Sequence, residues 1–283
     1  MVLFVILVAG VVTVIGMALG AGYEAGIIAL VVSLFYVLIS YYAASTLVLG
    51  ISGAKPVTEQ QNPELYHIVE NLCIGAGLPM PKIYIIDDTA PNAFATGRDP
   101  KHASVAVTKG LLQKLNKLEL EGVIAHELSH IRNFDIRLMT ITVMLVGLVA
   151  LLTDLFLRFT WFGAGARSGN KGKGEGAGGA IILLIALAMA ILAPIAAKLI
   201  QLAISRRREY LADSSGALLT RYPEGLASAL EKISKDKEPL EVANKATAHL
   251  YIVNPLKAHQ SGMNGLFSTH PPVEKRIAML RSM

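Results

Sequence analysis

The chain has 283 residues, 53% of them hydrophobic and 17% charged, with a formal net charge of +5. A soluble domain carries about 25% charged residues, and here the deficit is localised: residues 1–54 hold one charged side chain, Glu24, and residues 138–204 hold seven, whereas the other 162 residues hold 39. A polar domain interrupted by apolar segments of membrane length excludes an ordinary soluble enzyme, a disordered chain and a dedicated nucleic-acid binder, and the single cysteine, Cys73, excludes a disulfide framework and a cysteine-based metal site.

Residues 1–23 and 25–54 are free of charge, and each exceeds the roughly 20 residues a helix needs to cross a hydrocarbon core. No Lys or Arg precedes the first run, and it outlasts a signal-peptide core, so 1–54 reads as a transmembrane hairpin of two helices. Residues 55–137 read as the first half of a folded domain. Asn62 and Pro63 start a helix that ends at Gly75–Gly77. Lys82–Ile86 and Ala103–Val107 read as short strands, and a helix beginning near Leu118 meets no breaker for a long way. Residues 138–204 supply a third and a fourth span, separated by a glycine-rich loop at 163–179. Residues 205–283 return to the polar composition, with helices at Arg206–Thr220 and Pro223–Lys235, a candidate strand at Tyr251–Val253 and a last helix after His270-Pro271-Pro272. Lys55, Arg132, Arg137 and Arg206 to Arg208 beside the spans put both polar segments on the cytoplasmic side of a multi-pass protein of the cell membrane.

His126-Glu127-Leu128-Ser129-His130 is an HExxH pattern. Residues four apart share a helical face, so both imidazoles can reach one ion, and Glu127 can address a water there as general base. A catalytic zinc needs a third protein ligand and one open position. Glu209 and Asp213, one helical turn apart, offer that ligand and a carboxylate to accept the outer N–H of a ligating histidine; taken alone they also fit a solvated face paired with Arg206 or Arg208. Asn92–Gly97 follows Pro91, which suits an edge strand that a peptide could extend, or a loop with an Asn turn. His270 could steady a developing oxyanion or only start a helix.

HELSH at 126–130, REYLAD at 208–213, NAFATG at 92–97 and STHPPVEKRI at 268–277, with two apolar spans before the catalytic helix and two after it, resemble the HtpX membrane metalloproteases, gluzincins related to the CAAX prenyl endopeptidases. The resemblance implies one Zn2+ per chain, held by His126, His130 and Glu209, with Glu127 as general base. It implies that Asn92, Ala93 and Phe94 belong to the substrate-binding strand and that His270 and Arg276 stand near the active site, where Asp213 supports a ligand. The fold it implies is α+β: four transmembrane helices with one cytoplasmic, mainly helical metalloprotease domain containing a small sheet. Substrates would be peptides or membrane proteins at the lipid bilayer, in quality control of damaged membrane proteins, with no nucleic-acid partner. A CAAX-type endopeptidase, an inactive membrane scaffold and a transporter are the rivals; four spans, the intact HExxH set and the lack of an ionisable residue at mid-span argue against them in turn.

Overall fold

The computed structural model describes residues 41–143, 206–241, 250–253 and 271–283, with the single positions 27, 31, 35, 154 and 247. The expected spans over 1–40 and 144–204, the glycine-rich loop and His270 lie outside the described residues. The chain divides into two units, Met1–Ala43 with Met144–Leu199, and Ala44–Val143 with Ile200–Met283. Among the described residues no helix is long and apolar enough to cross a membrane. The second unit brings both polar segments of the sequence together.

Its sheet has the order β1 (Lys55–Pro56), β2 (Lys82–Ile86), β4 (Ala103–Thr108), β3 (Ala93–Gly97). Parallel pairing joins β2 to β4, and the two outer pairs are antiparallel. That order leaves β3 at an edge, although all five of its residues are buried. Between β1 and β2 runs α1 (Pro63–Ala76), capped as its sequence dictates: the Leu65 amide donates to Asn62 Oδ1 at 3.0 Å, and Gly77 closes the helix at φ 65°, the left-handed region. A short α2 (Lys109–Lys114) leads to α3 (Lys117–Arg132). A capping box starts α3, with the Glu119 amide donating to Asn116 Oδ1 at 3.0 Å and the Asn116 amide to Glu119 Oε2 at 2.8 Å.

Around α3 pack α4 (Arg206–Thr220), α5 (Pro223–Lys235) and, against these, α6 (Val273–Arg281). Two glycines set how deeply they pack. A Cβ on Gly122 would lie 2.6 Å from the Leu226 amide nitrogen of α5, and one on Gly216 of α4 would lie 3.0 Å from that of His126. Backbone therefore meets backbone at both crossings. The core on the helical side includes Val123, Ile124, Leu128, Leu226, Leu230 and Ile233, all 1% exposed or less.

Two expectations differ from the structure. The helix from Leu118 does not run on unbroken: the chain turns at Asn133 and Phe134, the latter at φ 58°, before residues 135–143 resume a helix. Tyr251–Val253 forms no strand; only the Ile252 amide reaches the sheet, donating to the Ala93 carbonyl at 3.0 Å. Replacing Gly122 by Ala forces α3 and α5 apart and should cost about 1–3 kcal/mol, read as a lower denaturation midpoint with local helix propensity unimpaired.

Candidate metal centre

His126 and His130 lie one turn apart on α3, and both are buried. Their Nε2 atoms are 3.2 Å apart. Glu209, on the first turn of α4, places Oε1 3.6 Å from His130 Nε2 and Oε2 3.8 Å from His126 Nε2. A tetrahedral ion bound at about 2.1 Å holds its donors about 3.4 Å apart, and the three separations straddle that value. Among the described residues this is the one group of histidine, cysteine and acidic side chains able to hold an ion.

The far side of each ring explains its orientation. His126 Nδ1 lies 2.9 Å from Asp213 Oδ1, and His130 Nδ1 lies 3.0 Å from Asp135 Oδ2. An ionised carboxylate only accepts, so each Nδ1 carries the proton and each Nε2 turns its lone pair to the shared point. Asp213 is in turn gripped by Arg276, whose Nε donates to Oδ2 at 2.8 Å and Nη2 to Oδ1 at 2.7 Å. Burial works against charge on Asp213, but Arg276, with the His126 hydrogen bond, holds its carboxyl well below the usual range. Arg276 is itself wholly buried, and despite that burial Asp213, Glu209 and Glu127 keep it firmly protonated.

Burial above all drives His126 down to about 4. On His130 burial pulls the same way, but the Asp135 hydrogen bond and the carboxylates of Glu209 and Glu127 outweigh it and raise the ring to about 9, so a bound ion must displace the Nε2 proton to use that lone pair. Glu127, next on α3, is pushed up to about 7 by burial, with Glu209 adding to the rise, while His130, the Ala95 N–H that donates to it and Arg276 oppose it. Two imidazole lone pairs and a carboxylate, with a second carboxylate beside them, form a donor set suited to a divalent ion.

Sequence reasoning missed Asp135. It stands five residues past His130, off the helical face, and reaches back only because the chain turns at Asn133–Phe134. Its other oxygen pairs with Arg208, so the basic run at the start of α4 reaches the site through a carboxylate. Of the edge-strand residues, Asn92 uses its side chain within the domain: Nδ2 donates to the Val253 carbonyl at 3.0 Å, and Oδ1 accepts from the Ala93 amide at 3.1 Å. Phe94 is buried edge-to-face on Tyr251, with ring centroids 5.1 Å apart.

Residues 59–283 match Peptidase family M48. The chain belongs to peptidase family M48. It is 50% identical over 263 residues to the protease HtpX homolog of Dictyoglomus thermophilum, covering 92% of this chain and 82% of that one. To the protease HtpX homolog of Lactobacillus helveticus it is 46% identical over 289 residues, covering 100% and 95%. The crystal structure of S. mikatae Ste24p shares the fold at a TM-score of 0.50 and 21% identity, over 87% of this chain and 56% of that one. As an M48 peptidase of the HtpX kind, the chain is a metalloprotease that hydrolyses peptide bonds with a metal cofactor.

The role of Asp135 is checkable. Asp135→Ala should lower metal affinity about 10–100-fold, measured by competition with a chelator, whereas removing the exposed carboxylate of Asp87, which pairs with Lys109 on the surface, should leave it unchanged.

Proposed function

We propose that the protein is an integral-membrane zinc endopeptidase with its catalytic domain in the cytoplasm, acting on damaged membrane proteins. The observation that carries the reading is the convergence of His126, His130 and Glu209 on one buried point with Glu127 beside it. These three residues would hold Zn2+. When bound, zinc would supply a Lewis acid that polarises the peptide carbonyl and acidifies a water. Glu127 takes the proton from the attacking water and passes it to the departing amine; its burial raises the carboxyl and makes it a better proton acceptor than an exposed one. Asp213 and Asp135 hold the two rings in the tautomer that presents Nε2. Arg276 keeps Asp213 charged and ties α6 to the site.

The membrane assignment is supported by the near-absence of charge in residues 1–54 and by the apolar runs within 138–204, and the cytoplasmic side by the basic residues that flank them. The quality-control role is supported by the motif resemblance, and the protease activity by the likeness to proteins named protease HtpX homolog. The alternative of a CAAX-type endopeptidase has only the fold-level likeness to Ste24p behind it.

Zinc content and hydrolysis of an unstructured protein substrate test the reading together. Glu127→Ala should retain one zinc per chain and lose hydrolysis. Glu209→Ala should lose most of its zinc, because two histidines alone bind weakly; full occupancy in that variant would remove Glu209 from the ligand set. For His270 we propose a hydrogen bond to the carbonyl oxygen as it becomes negative. His270→Ala should keep zinc, leave KM little changed and lower kcat by about 10²–10³, and a near-parental kcat would leave it only the start of α6.

A further inference from the structure

The edge of the sheet beside Glu127 is only partly open. In an antiparallel pair, alternate residues turn both backbone groups toward the partner strand. The Thr108 amide donates to the Asn92 carbonyl at 3.0 Å, so Phe94 and Thr96 face β4, and Ala93, Ala95 and Gly97 present their N–H and C=O groups outward. Each end of that outward row already has a partner. The Ala93 carbonyl accepts from the Ile252 amide at 3.0 Å, and the Ala93 N–H is turned to Asn92 Oδ1. The Gly97 carbonyl accepts from the Thr140 hydroxyl at 3.2 Å. Between them lies Ala95, whose N–H reaches the Glu127 carboxylate.

The segment on Ala93 is anchored on every side. Tyr251 is fully buried against Phe94, with its hydroxyl 3.3 Å from Ser52 Oγ. Ile252 and Val253 belong to the main apolar core. Asn92 Nδ2 holds the Val253 carbonyl, and Arg276 Nη1 donates to the Ile252 carbonyl at 3.0 Å while its other nitrogens grip Asp213. Releasing this segment would expose three apolar side chains and strip a hydrogen bond from an arginine that supports a metal ligand. It is built as a wall.

We propose that residues 251–253 permanently close the Ala93 end of the substrate edge, so that a bound peptide pairs with β3 only through the Ala95 carbonyl and the Gly97 N–H. Ile252 is then a specificity-determining residue: through its backbone it confines extended pairing to one side of the scissile bond. This rests on the reading of β3 as the edge that binds substrate. On the walled side the peptide must turn away from the sheet, and the enzyme gains nothing from backbone there.

The test uses the full-length, zinc-loaded protein in detergent and a set of peptides lengthened one residue at a time on either side of a fixed cleavage site. Each added residue on one side should raise kcat/KM by about 2–10-fold until the open stretch is filled, the worth of one backbone hydrogen bond, while additions on the other side change it less than twofold. Ile252→Pro, which removes the amide donor, should bring length dependence to the second side. Hydrogen exchange on Glu127→Gln, with and without a saturating peptide, gives a readout that does not depend on that variant folding. Protection should rise at the Gly97 amide and stay high at the Ile252 amide. Equal length dependence on both sides, or loss of Ile252 protection when peptide binds, would overturn the wall and leave the substrate edge standing. Length dependence on neither side, with exchange at the Gly97 amide unchanged by peptide, would overturn the edge reading and the wall with it.

Discussion

Asp213 is a charged carboxylate taken out of water and kept charged, and the arrangement of the site follows from how that is done. One of its oxygens accepts the hydrogen bond of His126 Nδ1–H, and both are held by the fork of Arg276. Removing one partner of such a buried pair costs about 3–5 kcal/mol, because the other charge is left uncompensated. The pair therefore locks α6 onto α4, and α4 onto α3. The ring of His126 cannot turn without breaking it. Glu209, one turn before Asp213 on the same face of α4, is delivered to the two Nε2 atoms by that lock. Gly216 on α4 supplies the remaining condition, since a side chain there would push against the His126 backbone.

Two carboxylates with the same task sit in different surroundings. Asp213 answers to a fully buried arginine, whereas Asp135 answers to Arg208, whose side chain is 37% exposed. An ion pair reached by solvent is screened and contributes little. The His126 side of the site is thus the stiffer one, and the His130 side is tied to a basic run that carries most of its charge in water.

Much of the site was legible in the sequence because helical spacing is a local property. The HExxH residues share one face by geometry, and the second acidic pair repeats the spacing. The cap at Asn62, the strands at 82–86 and 103–107 and the edge position after Pro91 are likewise written in short stretches. What could not be read depends on a change of chain direction. Asp135 has no periodic relation to His130, and the turn at Phe134 uses a left-handed conformation that a phenylalanine rarely adopts. Nor does an alternation of apolar residues reveal that Tyr251–Val253 makes one sheet hydrogen bond without becoming a strand. That outcome is set by Arg276 and Asn92, which lie distant in sequence and claim the segment's carbonyls. The family motifs named Arg276 as a neighbour of the site; only the structure shows which atoms it touches.

The turn at Asn133–Phe134 also makes a mechanical joint. Residues 135–143 form a helix of their own, so they can tilt without bending α3, and the first residue of that helix is the carboxylate that fixes His130. A hydrogen bond of 3.0 Å weakens steeply once stretched or misaligned by a few tenths of an ångström. A tilt of residues 135–143 thus has a short lever to the metal centre. Such a tilt would loosen one imidazole with no need for α3 itself to move.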